Sequence, residues 1–165
     1  MQPLISDSLK ESLVNQIAEE KKNGNLYLSI ASYLNGKGLS NLAHKFEEQH
    51  AEENEHALII YKLLSDLSVT FIVPEIESYD ISSFENFIQF AELYLEREYL
   101  TTESLGEIKK MGMEEDNFAV EERLREMILL QQGEYAEATE LFDKANILKE
   151  WWQVSLWDLS LGKGG

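Results

Sequence analysis

The 165-residue sequence contains no cysteine, which excludes disulfides, thiolate metal sites and thiol catalysis and leaves histidine and carboxylate as the only strong metal ligands. Basic residues are scarce: 14 lysines and arginines stand against 31 aspartates and glutamates, a formal net charge of −17. Such a chain repels nucleic acid and anionic membranes and attracts cations. No apolar run approaches the roughly 20 residues of a membrane span, and residues 1–10 lack a long apolar segment of the signal-peptide kind. A cytoplasmic protein without a nucleic-acid or membrane partner is expected. Solenoid repeats and low-complexity tracts are also missing.

What is present suffices for a core. Hydrophobic residues make up 44% and aromatics 10% of the chain, well above a disordered acidic sequence. The length fits one domain over 1–165. Ser6-Asp7-Ser8 offer N-caps, with Glu11 completing a capping box from Ser8. Leu9, Leu13, Ile17, Gly24, Tyr27, Ala31 and Leu34 then recur at helical spacing until Gly36-Lys37-Gly38 ends the first helix. A second helix from Ser40 aligns Leu42, Phe46, Gln49, Ile60, Leu63 and Leu67. Residues 69–82 contain Pro74 and lack this period. Extended, about 14 residues reach about 45 Å, and a helix of about 28 residues is about 42 Å long. The segment can therefore run the height of a bundle, which makes the second and third helices parallel.

The third helix, with Ser82 or Ser83 as cap and Glu85 in its first turn, aligns Phe84, Phe87, Ala91, Tyr94, Thr101, Leu105 and Ile108. After Gly112 and a polar turn at 114–117, the fourth aligns Val120, Leu124, Met127, Gln131, Ala138, Leu141 and Ala145. The expected fold is all-α: a four-helix bundle over about 6–149 with one long crossover between helices two and three. A short helical tail over 150–165 carries Trp151, Trp152 and Trp157 and ends in a frayed glycine-rich terminus.

Every one of the four stripes is interrupted near its middle by an acid: Glu20, Glu53, Glu98 and Glu134. His56 and Glu137 follow Glu53 and Glu134 by three residues, on the same helical face. Unpaired buried carboxylates cost several kcal/mol each, enough together to unfold a domain stable by about 10 kcal/mol. Arg97 and Arg123 fall beside the stripes and not on them, so divalent metal ions are the natural counter-charge. An oxygen-rich site with one imidazole suits a dinuclear Fe centre, and Mn also fits.

At these residues the chain resembles the non-haem ferritins, ferritin-like di-iron carboxylate proteins, over residues 9–149. Glu20 followed by Tyr27, the run Glu52-Glu53-Asn54-Glu55-His56-Ala57, and Glu98-Tyr99-Leu100-Thr101-Thr102-Glu103-Ser104-Leu105 are similar to family segments. The resemblance implies that Glu20, Glu53, His56 and Glu98 are ferroxidase ligands, with Glu53 or Glu98 bridging two irons. Tyr27 is then a hydrogen-bond partner of the ligands, or a simple core aromatic. On the fourth helix the family's Glu-Gln-x-x-Glu is aligned with Gly133-Glu134-Tyr135-Ala136-Glu137, so that Glu134 and Glu137 complete the ligands, in preference to the region of Glu122 and Glu126. In that alignment Gly133 and Ala136 replace carboxylates of the family's third iron site. Asn54 stands where bacterioferritins carry their haem-ligating methionine, so no haem is expected.

The function so implied is oxidation of Fe(II) by O2 or peroxide and storage of the ferric product in a hollow homo-oligomer, with a 24-subunit cage as one form. A di-iron or di-manganese oxidase or peroxidase without storage is the alternative. A helical interaction protein with a degenerate site is the third reading.

Overall fold

The computed structural model describes residues 4–162, in which all regular structure is helical. The elements are α1 (Asp7–Gly36), α2 (Ser40–Asp66), α3 (Phe87–Glu114), α4 (Phe118–Ile147) and α5 (Trp151–Gly162). The glycine-rich end at 163–165, expected to fray, lies outside the described residues.

Each long helix forms where the apolar period places it. All the stripe positions named above are buried except Phe84, which precedes α3 and packs from the side on Phe90, their ring centroids 5.1 Å apart. α1 is capped by Ser6, not Ser8: the Ser6 hydroxyl accepts the Leu9 amide at 3.1 Å. Between α1 and α2, Gly38 adopts φ +78°, a left-handed conformation that a side chain would resist, and the Leu39 amide turns back to the Leu34 carbonyl. At the other end of the bundle, Gly112 lets α3 approach α4, since a β-carbon there would lie 2.9 Å from Val120 Cγ1.

The start of α3 differs from expectation. Its cap is Asn86, not Ser82 or Ser83, and Asn86 forms a reciprocal capping box with Gln89. The Glu85 and Asn86 amides both donate to Gln89 Oε1, while the Ser82 amide is taken by Asp80 in a turn. Two bonds from one glutamine outcompete a single serine cap.

The segment between α2 and α3 does run the bundle's height. It leaves beside Val69 and Phe71 at one end and arrives with Tyr79, Ile81 and Phe84 at the other. On its way Tyr79 lies under Lys22 and Arg97, at 4.8 and 5.4 Å. α2 begins without a capping side chain of its own. The tail supplies one: buried Asp158 of α5 accepts the Leu42 amide at 2.7 Å. Trp151 and Trp157 both pack on Phe87, whereas Trp152 is 64% exposed.

The core is divided into two apolar clusters. One holds Tyr27, Phe46, Phe90 and Tyr94 and lies beneath α5. The other is built from Leu9, Leu13, Ile17, Ile60, Leu63, Leu105, Leu124 and Met127. The four interrupting acids lie between them.

Candidate metal centre

The packing that buries the stripes also brings their polar slots together. Glu20, Glu53 and Glu98 are fully buried, and His56 and Glu134 are 8% exposed. Ligand atoms of Glu20, Glu53 and His56 lie within 4.8 Å of one another, as do those of Glu53, Glu98 and Glu134. Glu53, and not Glu98, is common to both groups. His56 spans the layer, its Nδ1 3.7 Å from Glu20 Oε2 and its Nε2 3.4 Å from Glu134 Oε1. Its position on α2 three residues after Glu53 sends both side chains to the same face.

The outer carboxylates are held from behind. Gln16 Nε2 donates to Glu20 Oε1 at 2.8 Å. The Tyr27 hydroxyl donates to Glu98 Oε1 and Gln131 Nε2 to Glu98 Oε2, each at 2.6 Å. In contrast, both oxygens of Glu53, Glu20 Oε2 and Glu134 Oε2 have no hydrogen-bond partner. Buried acceptors without donors are rare because each forfeits its hydration. Those four oxygens belong to residues of the two ligand groups, and a pair of cations would supply the partners they lack.

Protonation follows the same geometry. Burial, reinforced by Glu20, pushes the Glu53 carboxyl far above its ordinary range. Burial also raises Glu98, against the opposing bonds from Tyr27 and Gln131, and takes Glu134 up to about 9 despite His56. For His56, burial works against the imidazolium, but Glu20 and the other acids hold its pKa at about 9. Glu20 itself is lowered: burial would raise it, and the Glu53 carboxyl, His56 and Gln16 together overcome that effect. Charge balance in this layer therefore requires either protons or metal cations, and cations displace the protons.

Three expectations are corrected here. Arg97, placed beside the stripes, is 7% exposed and buried between α1 and α3. Its Nε donates to Asn23 Oδ1 at 2.8 Å and its guanidinium is paired with Glu19, so its charge is spent outside the acid cluster. Arg123 stays half-buried. On α4 the side chain that bonds the Glu98 carboxylate is Gln131, three residues before Glu134. Glu134 keeps its place in the cluster. Glu137 does not join it: its side chain is 51% exposed and bonded to Lys45 at 3.2 Å.

Gln16 and Asn23 went unread in the sequence, and Gln131 was read as stripe filler. A usable signal existed, since Gln16 precedes Glu20 by four residues and Gln131 precedes Glu134 by three. An amide one turn from an acid in an apolar stripe faces the same interior.

A four-helix bundle with a single bundle-height crossover and inward-facing carboxylates plus a Glu-x-x-His pair defines the carboxylate-rich metal-site bundles. The ferritin-like domain profile matches residues 10–148. The chain belongs to that family. It is 39% identical over 54 residues to a bacterial non-heme ferritin of Bacteroides fragilis, a match covering 33% of this chain and 34% of that protein. That match thus spans about a third of the relative's length. Among solved structures, a humanized archaeal ferritin superposes with a TM-score of 0.88 at 29% identity, over 95% of each chain. An open pore ferritin from Archaeoglobus fulgidus gives 0.83 at 27% identity, over 95% of this chain and 97% of its own.

Proposed function

We propose that the chain binds two Fe(II) ions in the buried acid layer, oxidises them with O2 or peroxide, and stores the ferric product within a hollow cytoplasmic homo-oligomer. Glu20 and His56 hold the first ion, Glu53 bridges, and Glu98 with Glu134 holds the second. Tyr27 fixes the Glu98 carboxylate from behind. Each Fe(II) gives up one electron, and the pair reduces O2 to hydrogen peroxide with uptake of two protons. Oxygen-rich ligation favours the ferric product because hard anions stabilise the higher charge. The bundle keeps bulk water away from the oxidation while His56 and the raised carboxyls hold or release the protons that accompany metal arrival. The same donor set accepts Mn(II).

The observation carrying this reading is the set of unpartnered carboxylate oxygens on Glu20, Glu53 and Glu134, gathered around one imidazole with no lysine or arginine bonded to them among the described residues. Membership of the ferritin-like family and the names of the similar proteins support it.

Two measurements test it. Glu53→Ala combined with Glu98→Ala should abolish the fast phase of Fe(II) oxidation, and an unchanged initial rate would refute the assignment. After aerobic loading and desalting, iron retained far beyond the roughly two ions of the site means storage. Retention of the site's pair alone means an oxidase or peroxidase that does not store.

A further inference from the structure

We propose that Gln16 is the positioning residue of the first metal position and that Ser104, reaching across from α3, is the latch that holds its orientation. The inference rests on the dinuclear reading above and assigns roles to two residues outside the ligand set.

Gln16 is 1% exposed and lies one turn before Glu20 on α1. Its Nε2 engages Glu20 Oε1, so the oxygen left free is Oε2, the unpartnered atom on the His56 side of the carboxylate. A carboxylate tethered through one oxygen presents the other in a fixed direction. An untethered one rotates and offers either atom or both.

The amide must point the right way for this to work. Its two ends have nearly the same shape, so packing distinguishes them poorly, but NH2 attracts a carboxylate and C=O repels it. The Glu20 carboxylate, which only accepts, selects the NH2 end, and the Ser104 hydroxyl, donating to Gln16 Oε1, holds the amide in that orientation. The seam between α1 and α3 opens there into two hollows of about 220 and 250 Å3, both bordered by Gln16, Glu19 and Ser104.

The second position has separate supports. Glu98 is held by Tyr27 and Gln131, from α1 and α4. Loss of the Gln16 tether should therefore weaken one ion and spare the other, which a general loosening of the fold would not do.

The test is calorimetric titration of Zn(II) into the metal-free full chain, with thermal melting in chelator as a control on folding. Gln16→Leu should weaken one of the two binding steps about ten- to a hundredfold and leave the other at its parental value, the usual loss when a ligand's hydrogen-bond partner is removed. Ser104→Ala should weaken the same step by less, and Ser104→Thr, which keeps the hydroxyl, should restore it. If Gln16→Leu does not fold, the Ser104 pair alone carries the test. Equal weakening of both steps, or of neither, overturns the positioning role, and a parental isotherm for Ser104→Ala overturns the latch. A parent that binds two zinc ions but does not oxidise Fe(II) defeats the ferroxidase reading and leaves this inference standing. A parent that binds no zinc pair overturns both.

Discussion

The two ends of this bundle are built from different materials. On one side of the acid layer the core is aromatic, with Tyr27, Phe46 and Tyr94 in mutual ring contact at centroid distances of 5.1 to 6.1 Å and α5 lying over the end. On the other side the buried cluster has no aromatic residue among the described residues and is closed by the α3–α4 turn and residues 4–6. The difference matters to the layer between. The aromatic end lends a phenol, Tyr27, to one carboxylate, while the aliphatic end lends amides, Gln16 and Gln131. Both ends exclude water from the acids, and each supplies donors by a different route.

If the two clusters are separate cores joined through a polar layer, they should fail separately. Phe90→Ala in the aromatic cluster should cost about 3–5 kcal/mol and Leu124→Ala in the aliphatic one about 2–5 kcal/mol, read by urea denaturation. The double variant should equal the sum within about 0.5 kcal/mol, and a larger coupling would mean one continuous core.

The cover of the aromatic end gives the next effect. Asp158→Ala strands the Leu42 amide and should cost about 1–3 kcal/mol, with earlier proteolysis within α5 than elsewhere. Cleavage starting at the α3–α4 turn would show the uncovered end to be the weaker one.

The layer between the ends should make metal-free stability depend on pH. His56 titrates near 9 in the fold against 6.5 unfolded, so its contribution is complete below 6.5 and is lost as pH rises through about 9. Glu134 is raised from 4.5 to about 9, so the fold retains a proton that the unfolded chain releases, and stability again declines as pH rises across that window. The melting temperature in chelator should fall from about pH 6 to about pH 9, and bound Zn(II) should remove the decline because cations then replace the protons. A metal-free melting temperature that rises over this range would contradict the proposed charge balance.

The smallest effect belongs to the residue that the structure sets apart. Glu137→Ala removes an exposed pair with Lys45 and should change stability by about 0–1 kcal/mol, with both zinc-binding steps intact. Loss of a step would return Glu137 to the ligand set.

Much of this was legible in the residue order, for a physical reason. A helix repeats its environment every three to four residues, so an acid occupying a slot in an apolar stripe declares itself without a partner in view. Glu20, Glu53, Glu98 and Glu134 were found in this way, and the length of the crossover set which helices run parallel. Local competition was harder to see: Asn86 displaced Ser82 and Ser83 only because Gln89 could bond two amides at once.

Composition and period alone thus determined an all-helical bundle with acids in its middle, because burying the apolar stripes forces those slots inward. Tertiary structure alone decided the contacts that depend on facing distance and rotation between helices. It made Glu53 the shared carboxylate, set Gln131 on Glu98, turned Glu137 outward and sank Arg97 between α1 and α3. A stripe fixes which face of a helix is buried, but not how far along its neighbour that face lies, and each of these four outcomes turns on a shift of a few ångströms between packed helices.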